Sequence, residues 1–189
     1  MSYYNDTQNI EQYIQMAKGY DGLELINTLR TYLPAGATVL ELGMGPGKDL
    51  ALLNEHFVVT GSDMSPAFIE RYQALDPDAD LLLLDAATLN TERQFDCIYS
   101  NKVLHHLSRQ ALAESFSVQA KRLNDGGLLC HSFWYGEHEE EIMGMHIAHY
   151  TEEMLYKLVV TEFELIECQH YTEMDDDDSL YLICKKVKT

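Results

Sequence analysis

Residues 39–47, with the sequence VLELGMGPG, combine one acidic side chain with closely spaced glycines. Glu41 is followed by Gly43, Gly45 and Gly47 at alternate positions. Glycine adopts backbone conformations that other residues avoid, and it lets a ligand approach the bare main chain. An apolar run that leads into such a loop and then into a helical pattern is typical of a ligand-binding strand-to-helix junction. A tight turn without a ligand is the alternative.

Two phosphate-binding patterns do not fit this loop. The P-loop requires G-x-x-x-x-G-K-[ST], but Leu42 stands at the first glycine position and Asp49 at the hydroxyl position. The dinucleotide pattern G-x-G-x-x-G requires a glycine where Lys48 stands, and it would bring a pyrophosphate against Asp49. A nucleoside ligand that carries an amino-acid group and no phosphate is compatible with these acids, and S-adenosylmethionine is such a ligand.

Acidic residues also end the next two predicted strands. Asp63 closes the second strand, where its carboxylate could accept hydrogen bonds from both hydroxyls of a ribose. Asp85 closes the third strand. Each acid alone has a simpler explanation as a cap, for instance in the loop before Ser65. Because the carboxyl ends of parallel strands meet at one edge of a sheet, we expect Glu41, Asp63 and Asp85 to lie along one crevice.

Three segments resemble motifs of the class I S-adenosylmethionine-dependent methyltransferases. Residues 41–47 match the family's first motif, [DE]-x-G-x-G-x-G, at every fixed position. Residues 95–107, FDCIYSNKVLHHL, are similar to the family segment FDxVxxxxVLHHL. Residues 122–129 resemble the turn L-[KR]-P-G-G-x-L, with Asn124 and Asp125 in place of the usual proline. The resemblance implies a small single-domain methyltransferase with S-adenosylmethionine as its cofactor.

The same resemblance implies roles for individual residues of the donor site. Met64 would pack on the adenine ring. Asp85 would accept a hydrogen bond from the exocyclic amine, and the backbone amide of Ala86 would donate to the ring. Ser100, or Asn101 beside it, would border the methionine part. These positions join Glu41, Asp63 and the glycines as the predicted cofactor-binding residues, listed in full as Glu41, Gly43, Gly45, Gly47, Asp63, Met64, Asp85, Ala86 and Ser100.

A histidine is the predicted catalytic base. Methyl transfer from a sulfonium is an in-line displacement, and a hydroxyl, thiol or amine acceptor must lose a proton to a base near neutral pKa. His106 is the first candidate, since related proteins often place this histidine toward the substrate. The alternatives are His105, His131, His138, His146 and His149.

No metal site is predicted. The zinc motif H-E-x-x-H is absent, because Ile142 stands where the second histidine would follow His138 and Glu139. The acidic run at 175–178 lacks EF-hand spacing and is interpreted as a solvated turn. Cysteines are far apart in the sequence, which argues against a zinc knuckle or a dithiol centre.

Other function classes stay open. Ser100 is not followed by the proline pair and aromatic residue of methyltransferases that act on adenine or glutamine, so that subclass is disfavoured. A non-catalytic module that binds S-adenosylmethionine, or a partner subunit of another methyltransferase, remains the main alternative. A nicotinamide-dependent oxidoreductase is disfavoured by Lys48 and Asp49.

The elements that must position these residues alternate regularly along the chain. Apolar strand patterns alternate with helical patterns five times, which predicts an α/β fold with a parallel sheet covered on both faces. Residues 163–171 and 180–186 read as two strands joined by an acidic turn. The predicted fold is a Rossmann-like, doubly wound, mostly parallel seven-stranded sheet with a C-terminal antiparallel hairpin.

One domain over residues 1–189 is predicted, with an N-terminal helical cap at 1–33 and an α/β core at 34–189. The cap and residues 134–150 match no motif, so acceptor specificity is expected there. Tyr13 and Tyr20 could form a lid over the cofactor, with plain helix packing as the alternative.

Charge and composition limit the partners and the cellular location that are expected. The chain has 31 acidic and 13 basic side chains, a formal net charge of -18, which repels nucleic acid and anionic membranes. A small neutral or cationic acceptor is therefore expected, with no nucleic acid and no membrane as partner. The first residues lack the pattern of a signal peptide, so a cytoplasmic location is expected. The sequence leaves the oligomeric state open.

Overall fold

The computed structural model describes Glu11, Ile14, Gln15 and residues 19–187, and strands and helices alternate along its core. The helices are α1 (Leu23–Leu29), α2 (Lys48–Asn54), α3 (Pro66–Leu75), α4 (Arg109–Arg122) and α5 (Glu152–Val159). The strands are β1 (Thr38–Leu42), β2 (Val58–Asp63), β3 (Leu81–Leu83), β4 (Phe95–Asn101), β5 (Leu123–Trp134), β6 (Glu139–Ile142), β7 (Met145–Ala148), β8 (Phe163–Tyr171) and β9 (Ser179–Lys186).

Seven of these strands form one sheet in the order β3-β2-β1-β4-β5-β9-β8. Strands β1 to β5 run parallel, β9 is antiparallel to β5, and β8 is antiparallel to β9. The predicted mostly parallel sheet with a C-terminal antiparallel hairpin is therefore confirmed. The chain leaves β1 in one direction and returns to its other side at β4, and this reversal opens a crevice at the carboxyl ends of both strands.

Helices cover both faces of the sheet. On one face, Ile26 and Leu29 of α1 and Leu50 of α2 are buried against Val39. On the other face, the core around Leu40 includes buried side chains of α4 and α5, listed as Leu112, Phe116, Leu155 and Val159. Neighbouring residues of a strand point to opposite faces, which places Val39 and Leu40 in different cores. Each buried leucine stabilises the fold by about 1.5–3 kcal/mol, so the strand ends that carry the site are held rigidly.

Three elements were not predicted. The strands β6 and β7 pair as a separate antiparallel hairpin, and α5 follows it. The prediction of two N-terminal helices is tested only for the second one, α1, because Tyr13 and most of the first lie outside the described residues. None of the described helices is long and apolar enough to cross a membrane. The single-domain organisation and the cytoplasmic location stay predictions.

Candidate functional site

The loop between β1 and α2 requires its glycines. Gly43, Gly45 and Gly47 have φ of 66°, 50° and 84°, a region that strains residues with a Cβ atom. A Cβ on Gly43 would lie 2.5 Å from Cγ1 of Val103, and one on Gly47 would collide with the ring of Tyr72. Gly47 is also the residue that precedes the first turn of α2. The loop therefore presents main chain rather than side chains at the crevice.

Asp63, at the end of β2, fixes this loop. Its Oδ2 accepts a hydrogen bond from the Gly45 amide at 2.9 Å, and its Oδ1 accepts one from the Ser65 amide at 2.8 Å. Burial raises the pKa of Asp63, and these backbone hydrogen bonds partly offset the increase. Asp63 therefore does cap the loop before Ser65, which was the simpler explanation of this acid. Each carboxylate oxygen has a second lone pair, so ribose binding by Asp63 stays a prediction.

Glu41 is a buried acid without a complete set of partners. Only 4% of its surface is exposed, and its Oε2 has no hydrogen-bond partner. Burial raises the pKa of Glu41 well above its usual value, and the nearby carboxylates of Asp49 and Asp63 raise it further. A buried polar atom that lacks a partner costs free energy. A ligand with positively charged or donor groups would relieve this cost, so the site fits the ammonium and sulfonium of S-adenosylmethionine.

A cavity of about 420 Å³ lies against the glycine loop, within the size range of small-ligand sites. Four acids and two lysines line it together with apolar and glycine residues. The lining residues are Ile14, Tyr20, Asp21, Glu41, Gly43, Met44, Pro46, Gly47, Lys48, Asp49, Asn101, Lys102 and Glu173. The excess of carboxylates favours a ligand with net positive charge, since opposite charges attract strongly where water is partly excluded.

Asp49, which sequence reasoning did not single out as a site residue, holds two walls of the cavity together. Its Oδ1 accepts a hydrogen bond from the Gly22 amide at 2.7 Å. Its Oδ2 accepts hydrogen bonds from the Tyr99 hydroxyl at 2.8 Å and from Nδ2 of Asn101 at 3.1 Å. The segment before α1 is thereby tied to the start of α2, and Tyr20 in this segment lines the cavity. The lid role of Tyr20 stays a prediction.

The two candidates for the methionine part, Ser100 and Asn101, have different positions. Neighbouring residues of β4 face opposite sides of the sheet. Asn101 lines the cavity, whereas Ser100 is fully buried and its hydroxyl lies 2.8 Å from Nδ1 of His131. The structure thus brings Asn101 to the cavity and places the side chain of Ser100 in the interior.

Lys102 is a second lining residue that no sequence pattern indicated. Its φ is 54°, an uncommon conformation for a residue other than glycine. Its ammonium donates to the Phe133 carbonyl at 3.1 Å and the Ser179 hydroxyl at 2.5 Å, and it lies 3.4 Å from the ring centre of Trp134. Burial lowers the pKa of Lys102 to about 7, although Glu173 raises it in part.

The predicted adenine-binding residues follow β2 and β3 at the same edge of the sheet, outside the cavity lining. Met64 is 56% exposed. Asp85 is exposed, and its Oδ1 accepts a hydrogen bond from the Ala87 amide at 2.8 Å, as in a simple turn. The carbonyl of Ala86 accepts from the Ser115 hydroxyl at 2.6 Å. Their roles toward adenine stay predictions.

His106 lies in a short 3-10 turn, Leu104–His106, and is not among the residues that line the cavity. Its Nδ1 is 2.9 Å from the carbonyl oxygen of His146. A carbonyl only accepts hydrogen bonds, so Nδ1 must carry the proton and Nε2 keeps its lone pair. Burial lowers the pKa of His106, although the His146 carbonyl raises it in part. This is the tautomer that a base requires, and the catalytic role stays a prediction.

The fold and the loop together define a Rossmann-like domain with a nucleoside-type site at the carboxyl end of β1. Residues 39–127 match the family model described as a methyltransferase domain. This match covers just under half of the chain and, with the relatives and solved structures below, it supports a class I methyltransferase domain that depends on S-adenosylmethionine.

Two curated relatives each match part of the chain. A trans-aconitate 2-methyltransferase of Methylobacterium radiotolerans is 41% identical over 85 residues, which are 43% of this chain and 33% of that protein. A tRNA (carboxymethyluridine(34)-5-O)-methyltransferase of Saccharomyces cerevisiae is 30% identical over 115 residues, which are 60% of this chain and 41% of that protein. The chain thus spans well under half the length of either relative.

Solved structures share the whole fold. The N-methyltransferase NodS of Bradyrhizobium japonicum, solved with S-adenosylhomocysteine, is similar with a TM-score of 0.76 and 18% identity. The match covers 97% of this chain and 100% of that chain. At this identity the likeness shows the fold, and it confirms the predicted Rossmann-like architecture.

Proposed function

We propose that this chain transfers the methyl group of S-adenosylmethionine to a small-molecule acceptor. The observation that carries the proposal is the buried carboxylate of Glu41, with an unpartnered oxygen beside a main-chain loop and a carboxylate-rich cavity. A cationic, phosphate-free nucleoside satisfies this arrangement. A phosphate-bearing nicotinamide cofactor does not, because its pyrophosphate would meet Glu41 and Asp49.

Each part of the donor has a set of residues in this proposal. Glu41 and Asn101 face the amino-acid part at the cavity. Asp63, already bound to the Gly45 amide, uses its remaining lone pairs for the ribose. Met64, Asp85 and Ala86 follow the neighbouring strands and bind the adenine, by resemblance to the family. The bound donor supplies a methyl group on a positively charged sulfur.

The chain's own residues orient the reactants and handle the proton. Asp49 ties two walls of the cavity together, and a bound donor would displace water between them, which strengthens the attraction between carboxylates and the sulfonium. His106, neutral and protonated on Nδ1, accepts the acceptor's proton on Nε2. The segment containing Tyr20 and the side chain of Lys102 border the acceptor's approach.

A small acceptor is supported by the net charge of -18, which disfavours approach of a polyanion. The relatives are named for different acceptors, trans-aconitate in one case and a tRNA nucleoside in the other. The charge alone therefore does not exclude RNA, and the assay must include it.

The test incubates the purified chain with methyl-labelled S-adenosylmethionine and, in separate reactions, with a small-metabolite extract and total tRNA. Label transfer to a small molecule is expected, and Asp63→Ala should weaken donor binding at least tenfold, measured by calorimetry. Asp125→Ala, at an exposed acid far along the chain, is the matched control and should bind normally. Labelled tRNA would contradict the acceptor class. Donor binding without any labelled product would favour the non-catalytic module, and no donor binding would refute the proposal.

A further inference from the structure

The β6–β7 hairpin brings together two histidines that are far apart in the sequence. The His149 amide donates to the His138 carbonyl at 2.9 Å, which extends the ladder of the hairpin by one pair. Residues directly opposite each other in an antiparallel pair point to the same face. The imidazoles of His138 and His149 accordingly stack, with ring centres 3.8 Å apart and planes 19° apart.

Glu140 lies on the same face of the hairpin, two residues along β6. Its Oε1 is 3.8 Å from Nε2 of His138 and 3.7 Å from Nε2 of His149. Both distances exceed the range of a hydrogen bond. One ligand atom from each of the three residues lies within 4.8 Å of the other two. Three donor atoms thus surround one point without bonding to each other directly.

These distances fit a tetrahedral ion. Zinc takes histidine nitrogen and carboxylate oxygen at about 2.0–2.2 Å, which places neighbouring ligand atoms about 3.4 Å apart. The two distances from Glu140 must shorten by a few tenths of an ångström, and the stacked imidazoles must rotate so that one nitrogen of each points at the same ion. Imidazole and carboxylate donors suit zinc better than calcium or magnesium, which prefer oxygen alone.

We propose that His138, Glu140 and His149 form a binding site for one Zn²⁺ ion, with water as the fourth ligand. The site lies on the hairpin, and none of the three residues lines the donor cavity. It is therefore separate from the donor site, and Zn²⁺ binding there does not require the proposed methyl transfer.

An ion at this position would cross-link the two open ends of the hairpin. The same hairpin holds His106 through the carbonyl of His146, and β7 packs on the 3-10 turn that carries His106. Zinc would thus stabilise the support of His106 without contacting the donor. The carboxylate and histidine of the opposite face, Glu139 and His146, lie 3.8 Å apart and provide an internal comparison.

The test uses the full chain without an affinity tag, stripped with a chelator and dialysed. Titration with Zn²⁺ alone is measured by calorimetry, and Co²⁺ serves as a probe because tetrahedral coordination gives strong visible absorption. We expect one ion per chain, a tetrahedral Co²⁺ spectrum and a higher Tm with Zn²⁺. His138→Ala and His149→Ala should each weaken binding at least tenfold, and the double variant should lose the site.

Two further variants keep the test decisive if the alanine variants unfold. Glu140→Gln preserves the side-chain shape and should weaken Zn²⁺ binding about tenfold. His146→Ala removes a histidine from the opposite face of the same hairpin and should leave the affinity unchanged. Wild-type Zn²⁺ affinity in Glu140→Gln, or equal loss in His146→Ala and His138→Ala, would overturn the proposal. So would the absence of saturable Zn²⁺ binding by the wild-type chain.

Discussion

At the scale of single residues, the buried carboxylate of Glu41 costs stability in the free protein, and we propose that it contributes to donor binding. Its pKa is raised, so the folded chain binds more protons than the unfolded chain above the usual pKa of a carboxyl group. The free energy of unfolding contributed by this group therefore falls as pH rises from about 4.5 through the raised pKa. The charge that is costly in the free protein becomes favourable when a cation is bound.

Glu41→Gln should accordingly stabilise the free protein and weaken the donor. At pH 8 we expect an increase in the free energy of unfolding of about 1 kcal/mol, or about 2–4 °C in Tm. The Kd for S-adenosylmethionine should rise at least tenfold. Glu164→Gln, at an exposed glutamate, should change neither quantity. Differential scanning calorimetry and titration calorimetry measure the two effects, and a less stable Glu41→Gln with normal donor affinity would contradict this account.

Lys102 can be observed through the only tryptophan of the chain. Its ammonium lies 3.4 Å from the ring centre of Trp134, and burial lowers its pKa to about 7. Loss of this proton removes a cation from the indole, so Trp134 fluorescence should titrate with a midpoint near pH 7. His105 is a titratable ring beside Trp134, and burial lowers its pKa well below the usual value.

The variant Lys102→Met should therefore give a flat fluorescence profile between pH 6 and 9. The exposed Lys157→Met is the control and should keep the wild-type transition. The lowered pKa of Lys102 also makes the stability of the protein depend on pH. The folded chain binds fewer protons than the unfolded chain between about pH 7 and 10.4, so the contribution of Lys102 to stability rises with pH in that window. A wild-type profile without a transition would show that Lys102 does not titrate there.

At the scale of elements, a buried chain of hydrogen bonds joins α4 to two strands and to the turn after β3. The Ser115 hydroxyl donates to the Ala86 carbonyl at 2.6 Å, and Nε2 of Gln119 donates to that hydroxyl at 3.0 Å. Oε1 of Gln119 lies 2.8 Å from Nε2 of His131, whose Nδ1 meets Ser100. The Gln119 oxygen only accepts, so His131 carries its proton on Nε2 and Ser100 donates to Nδ1.

Gln119→Leu should interrupt this series of hydrogen bonds at its centre. It leaves the buried N–H of His131 without an acceptor, which costs about 1–3 kcal/mol in the free energy of unfolding. Donor affinity should fall too, because Ala86 loses part of its support through Ser115. Gln110→Leu, at an exposed position of the same helix, is the matched control. Urea unfolding measures the loss of stability. Equal stability of the two variants would show that this series of hydrogen bonds contributes little to the free energy of unfolding.

The sequence predicted the central elements because each had a local signal. Residues of β1, β4 and β5 are buried on both faces, so these strands appear as apolar runs, while Gly47 marks the start of α2 and Ser65-Pro66 marks the start of α3. The β6 strand has no such signal. Its residues 139–141 are three glutamates that read as a polar loop, and the hairpin exists because of its backbone pairing with β7.

The site shows the same limit. Glu41, Asp63 and the glycines could be predicted as site residues because strand ends and loop spacing are local features of the sequence. Asp49 contacts Gly22, which lies 27 positions away, and Lys102 contacts Trp134, which lies 32 positions away. No local sequence pattern predicts such distant pairs. Sequence spacing also could not decide between Ser100 and Asn101, because the face of β4 that meets the cavity depends on the sheet.

At the scale of the whole molecule, the acidic excess should distinguish the donor from its demethylated product. S-adenosylmethionine carries a sulfonium charge that S-adenosylhomocysteine lacks. The chain has a net charge of -18, and acids outnumber lysines in the cavity. The attraction is long-ranged at low salt, since the Debye length falls from about 10 Å at 0.1 M to about 3 Å at 1 M.

We therefore predict that salt weakens donor binding more than product binding. Between about 0.05 M and 0.5 M NaCl, the Kd for S-adenosylmethionine should rise severalfold, while that for S-adenosylhomocysteine should change less than twofold. Titration calorimetry of both ligands with the same protein preparation measures the ratio, and the shared adenosine provides the internal control. The same field favours release of the neutral thioether after transfer, because the product no longer has the charge that the carboxylates attract. Equal salt dependence of the two ligands would show that contacts to the adenosine and the amino acid, rather than the field of the acids, determine donor affinity.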